Sequence, residues 1–243
     1  MAVRVVAGDE AEQDFAPYLT PTPFLDSDNP EIEVFAAEAA EGGGNPRERA
    51  VRLYYAVRDR IRYDPYDITC TAEGFRAGHC LEVGKGFCVT KAALLAAAAR
   101  ALAIPSRLGY GDVRNHLATP KLIELMGSDL FVFHGYTELF LDGAWVKATP
   151  AFNLSLCTRF GVRPLEFDGR TDSLFHPYDT AGRKHMEYVA HRGSFADVPF
   201  DQIMAAFAQH YGSAMSRGFR PDHGDFAAEA EAQRLTAEAD ETR

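Results

Sequence analysis

Gly84-Lys85-Gly86-Phe87-Cys88-Val89-Thr90-Lys91, running on into the alanine-rich residues 92–103, is a glycine-punctuated loop that opens a strongly helical run. It delivers one cysteine to the first turn of a helix. Backbone N–H groups at a helix start favour negative charge and lower a thiol's pKa, and the thiolate is the nucleophile. The position suits a reactive thiol, although a cysteine there also serves simply to pack beneath the helix. The rest of the chain decides between the two.

Upstream, Asn29-Pro30 and Asn45-Pro46 each pair a capping side chain with a proline at the first helical position, which predicts helices over residues 31–40 and 46–62. Ala50, Leu53, Tyr54, Val57 and Ile61 recur at helical spacing. Residues 17–24 read as extended, 3–6 as a short strand and 67–83 as irregular. Downstream the period changes. Residues 106–113 read as a strand, 119–126 as a short helix capped by Thr119, and 130–141 as a long strand. Asp142-Gly143 is a two-residue hairpin signal, with 144–149 returning. Residues 151–198 carry many turn formers, with one short strand at 187–190. Residues 199–211 fit a helix. The order, helices first and antiparallel strands after, predicts an α+β fold.

The 243 residues suffice for one sizeable core. We expect a single domain over 1–212, with its core at about 46–155. Residues 221–243 hold seven acids and two arginines. They read as part of an acidic, alanine-rich tail or solvated helix over 213–243. A net charge of −10 argues against a nucleic-acid or anionic-membrane partner. No run of about 18 apolar residues predicts a membrane span. The N-terminus lacks the apolar core of a signal peptide, so the expected location is cytoplasmic. The four cysteines, Cys70, Cys80, Cys88 and Cys157, are then expected to be reduced.

Along the strand 130–141, His134, Tyr136, Glu138 and Phe140 share one face. If Asp142-Gly143 is the loop, Leu141 pairs with Ala144, Phe140 with Trp145, Glu138 with Lys147 and Tyr136 with Thr149. The opposite charges of Glu138 and Lys147 support that register. Thr149 is then diagonal to His134, and Asn153 has the same parity beyond Pro150. Cysteine catalysis needs a base for the thiol proton and a third group to orient that base. Cys88, His134 and a polar group on the neighbouring strand supply those types.

Gly-Lys-Gly-Phe-Cys88 opening a helix, then Ile104-Pro105-Ser106-Arg107 entering a strand, then His134-Gly-Tyr-Thr-Glu-Leu-Phe-Leu-Asp-Gly-Ala-Trp145-Val-Lys-Ala-Thr149-Pro150, resembles the transglutaminase-like superfamily. Val57-Arg58-Asp59-Arg60-Ile61-Arg62-Tyr63 is similar to the helix and tyrosine before its core. The resemblance spans about residues 46–155. It implies a papain-like α+β fold with the nucleophile helix packed on an antiparallel sheet. It also implies a Cys-His-Asp triad and hydrolysis or acyl transfer at a peptide or small amide, without a cofactor. Cys88 matches the nucleophile and His134 the base. The family usually has Asp before this proline, where this chain has Thr149. Either Thr149 or Asn153 would then orient the histidine. A degenerate, non-catalytic binding module is the alternative. By the same match the Cys88 N–H would help hold an oxyanion, with Tyr63 or Tyr66 as further candidates if they are not simply packing.

Other residues invite weaker readings. Cys70, His79, Cys80 and Cys88 lack a C-x2-C pair, so no metal site is expected. His176, His185 and His191 read as surface or structural histidines. Asp168, Asp172 and Asp179 read as turn formers, any one of which could complete a triad. Gly84-x-Gly86 lacks the Lys-Ser/Thr of a phosphate loop.

Overall fold

Helix α5 (Cys88–Ala101) is buried on every side from Cys88 to Arg100, the pattern of a helix at the centre of a fold rather than on its surface. Its small alanines let neighbours approach closely. In this computed structural model, which describes residues 14–116, 118–175, 186–216 and 224–241, the helices before it and the two strands central to the sheet pack against it. Helices α1 (Ala16–Leu19), α2 (Pro30–Ala39), α3 (Pro46–Arg60) and α4 (Ala77–Val83) precede it. Short strands β1 (Arg62–Tyr63) and β2 (Lys85–Gly86) pair in parallel just before it. Strand β3 (Ser106–Asn115), α6 (Pro120–Met126), β4 (Leu130–Leu141), β5 (Ala144–Ala148), α7 (Leu154–Phe160), β6 (Met186–Phe195), α8 (Phe200–Ser216) and α9 (Phe226–Glu241) follow. The four long strands form an antiparallel sheet in the order β5-β4-β3-β6. The architecture is α+β, with α5 lying between α2, α3 and α4 and the sheet.

The local signals gave elements close to those predicted. Asn29 accepts the Glu31 N–H, Asn45 the Glu48 N–H and Thr119 the Leu122 N–H. The hairpin has the predicted register from Leu141↔Ala144 to Glu138↔Lys147, but regular pairing stops at Ala148, so Tyr136↔Thr149 is not formed. The chain turns instead to Ser173, whose carbonyl accepts the Thr149 N–H. Lys147 does not answer the charge of Glu138. That carboxylate is taken by Arg107 of β3 and by the Ser194 hydroxyl of β6, while Lys147 lies 3.8 Å from Asp172.

Four stretches differ from expectation. Residues 16–19 are helical rather than extended. Helices α4 and α7 follow Arg76 and Asn153, neither of which caps with its side chain: arginine is not a capping type, and the Asn153 amide, which is one, is engaged elsewhere. Strand β6 extends to ten residues because it pairs along β3. The charged C-terminal stretch, by contrast, takes the helical one of its two expected forms, with two buried anchors, Phe226 and Ala230. The strand expected at residues 3–6 lies outside the described residues, as do His176, Asp179 and His185. Among the described residues no helix is long and apolar enough to cross a membrane.

Two contacts fix α5. Gly135 of β4 passes so close that a Cβ there would sit 3.0 Å from the Val89 Cα and 3.4 Å from the Cys88 carbonyl oxygen. Lys91, fully buried, donates its ammonium to the carbonyls of Arg58 (3.0 Å) and Ile61 (2.6 Å) at the end of α3. Burial disfavours its charge and brings its pKa down to about 7. The unfolded chain, with an ordinary lysine, therefore binds more protons between that value and about 10.4, so this group makes stability rise with pH across the window.

Gly135→Ala is expected to lose about 1–3 kcal/mol, because the neighbour is backbone and cannot rotate away; an unchanged urea midpoint would contradict the close approach. Urea unfolding of Lys91→Met beside the parent at pH 6, 7.5 and 9 tests the second contact. The parent is expected to gain stability over the variant as pH rises. Parallel curves would mean that the lysine titrates normally.

Candidate active site

Gly84 ends α4 in the left-handed region (φ 67°), and the chain then pairs Tyr63 with Gly86 before entering α5. Thr90 Oγ1 accepts the Phe87 N–H at 3.1 Å, closing the first turn. Cys88 is the first helical residue and is 8% exposed. Burial pushes its thiol up to about 11, only partly offset by the N–H groups of Gly135, Val89 and Cys88 itself. The helix start does not win here. A helix terminus supplies about 0.3–1 kcal/mol at ordinary sites, whereas full burial moves a pKa by up to 3–5 units.

His134 follows a β-bulge. Gly111 faces His134 but Val113 faces Phe131, so β4 carries one residue more than β3 across that step. Phe133 absorbs it with φ 54°, a left-handed conformation uncommon for an aromatic residue. Asp112 secures the bulge by accepting the Phe133 N–H at 3.1 Å, and Arg192 holds Asp112 through two bonds of 2.9 and 2.7 Å. From Gly135 onward the alternation is regular. Thr137 donates to the Ala92 carbonyl of α5. On the opposite parity, the Tyr136 ring lies across Gly109.

Cys88 and His134 border one apolar cavity of about 40 Å³, which Tyr63 also lines. Leu122 and Met126 of α6 and Phe207 and Tyr211 of α8 contribute to its wall. The His134 ring stands edge-on to Phe175 at 4.6 Å and is 3% exposed. Burial takes its pKa down to about 3. Thiol and imidazole are therefore both neutral in this arrangement.

Of the two candidates for the third position, Thr149 and His134 line a second cavity, while Asn153 is committed elsewhere. The Asn153 Oδ1 accepts the Tyr63 N–H at 2.6 Å, and its Nδ2 donates to the Arg58 carbonyl and, at 2.7 Å, to the Ile61 carbonyl. Asn153 thus joins Lys91 on the last carbonyls of α3 and is not a partner of the histidine. Asp59 takes over at its own helix, accepting the Leu154 N–H at 2.9 Å.

The remaining candidates are dispersed. Tyr63 packs on Phe152 and Phe226. The Tyr66 hydroxyl bonds to Thr119 and donates to Glu229 of α9. His191 bonds Tyr136 at 3.1 Å. Asp168 accepts from its own turn, and Asp172 accepts the Lys147 N–H. All four cysteines are free thiols, and among the described residues no three His, Cys, Asp or Glu side chains form a metal cluster. The sequence reading missed Lys91 and the Asp112–Arg192 clamp. A lysine inside an otherwise apolar helix was a visible signal for the first. The second depends on a bulge that no local pattern announces.

The family model described as "Transglutaminase-like superfamily" matches residues 33–150. No curated protein matches the chain. Among solved structures, a "Putative Cysteine Protease" from Cytophaga hutchinsonii is 17% identical, with a TM-score of 0.47 over 74% of this chain and 64% of that one. A "Putative Protease" from Parabacteroides distasonis is 16% identical, with a TM-score of 0.36 over 55% and 26%. The chain spans less than two thirds of the length of either protein. The family match covers α5 with its cysteine and the hairpin with its histidine, so residues 33–150 are similar to the transglutaminase-like superfamily.

Proposed function

We propose that the protein is a cysteine enzyme that opens an amide bond, in a peptide or a small amide, through a thioester on Cys88. The observation that carries this reading is the common cavity of Cys88, at the head of α5, and His134 of β4. The Cys88 sulfur attacks the carbonyl carbon and its proton passes to His134. The C–N bond then breaks, and the amine leaves with that proton. Water completes a hydrolysis, or a second amine a transfer, and the thiol is restored. The Cys88 N–H, one of three backbone N–H groups at the sulfur, would serve as a donor for the oxyanion.

Because both groups are neutral in the closed site, the proton moves as the sulfur–carbon bond forms rather than beforehand. A cavity of about 40 Å³ is too small for an amide and its neighbours. The side chains of α6 and α8 that wall it move aside for a substrate.

A second reading, a binding module that has lost catalysis, is favoured by Thr149 standing where the family usually has aspartate. Small thioester and activated-ester electrophiles, followed by intact mass and peptide mapping, separate the two. Acylation at Cys88 is expected, absent in Cys88→Ala and slowed about a hundredfold or more in His134→Ala. No adduct at Cys88 with any electrophile would favour the binding module.

A further inference from the structure

Two buried polar atoms at the site have no hydrogen-bond partner among the described residues: Nδ1 of His134 and Oγ1 of Thr149. The residues are 3% and 1% exposed, and both line a cavity of about 30 Å³ bounded by Ala151, Phe152, Cys157 and Phe175. Buried polar atoms are rarely left unpaired. A cavity needs about 10–15 Å³ and two to four polar partners to hold a water. Arg163 also lines it, but about 30 Å³ is room for a water rather than for a carboxylate, and both orphaned atoms are candidates for its bonds.

We propose that Thr149 is a positioning residue acting through one ordered water, which bridges its hydroxyl to His134 Nδ1. Such a water accepts the Nδ1–H and donates to the threonine oxygen. In that orientation the proton rests on Nδ1 and Nε2 is the basic nitrogen. A neutral bridge does for orientation what a carboxylate does elsewhere, and it supplies no charge to an imidazolium. It therefore suits a base that takes its proton only during attack. This inference rests on the Cys88–His134 reading.

Three readouts on the full-length protein test it. In the parent, a long-lived water giving a cross-peak to the Thr149 methyl is expected, together with imidazole 15N shifts of the Nδ1–H tautomer. Thr149→Val keeps the shape and removes the hydroxyl. It is expected to lose the water signal, shift His134 towards the other tautomer and slow acylation of Cys88 roughly tenfold. Thr149→Ser is expected to restore all three. A parent with no long-lived water at Thr149, or a folded Thr149→Val with unchanged tautomer and rate, overturns the bridge. If His134→Ala also leaves the acylation rate unchanged, the catalytic pair itself has failed. A slowed His134→Ala beside an unchanged Thr149→Val disposes of the bridge alone.

Discussion

The last carbonyls of α3 are the point on which the site depends. Helix ends leave carbonyls without partners, and here they are buried. The Arg58 and Ile61 carbonyls each receive Lys91 from α5 and Asn153 from the segment beyond β5. One junction therefore fixes the strand carrying Tyr63, the helix carrying Cys88 and the turn carrying Thr149. A cation near a helix C-terminus is favoured. Taking an ammonium out of water costs more, and the lowered lysine pKa records that balance. Removing either donor leaves the other to hold carbonyls that three segments share.

The same exclusion of water sets the chemistry. A helix start alone would make Cys88 acidic, and an exposed histidine would titrate near neutrality. Enclosed by apolar side chains of α6, α8 and β4, both groups are held neutral. In the proposed reaction the thiol therefore loses its proton only as it attacks. The bulge at Phe133 belongs to the same design, since it sets His134 beyond an irregular step that Asp112 and Arg192 hold in place.

What the sequence revealed was what is decided locally. The Asn-Pro and Thr-Pro starts, the Asp142-Gly143 turn and the alanine-rich helix are each settled within a few residues, and the α+β architecture followed from their order. Cys88 and His134 were identified as candidates because their positions on those elements could be counted. The third position could not be counted. Whether Asn153 serves the histidine or the end of α3 depends on contacts some 90 residues distant in sequence. Glu138 was matched correctly to Lys147 in register yet bonds Arg107 instead, because β3 brings a guanidinium to its other side. Helix α4 follows Arg76, which is no capping residue, and was missed for that reason; α7 was missed although Asn153 is of the capping type.

The most direct test of the pairing is the separation of the Cys88 sulfur from the His134 ring in a crystal structure of the protein acylated at Cys88. The account predicts a ring nitrogen within about 3–4 Å of the sulfur or of the acyl oxygen. It also predicts the acyl oxygen against the Cys88 N–H. A ring still edge-on to Phe175, with another side chain beside the sulfur, would contradict it.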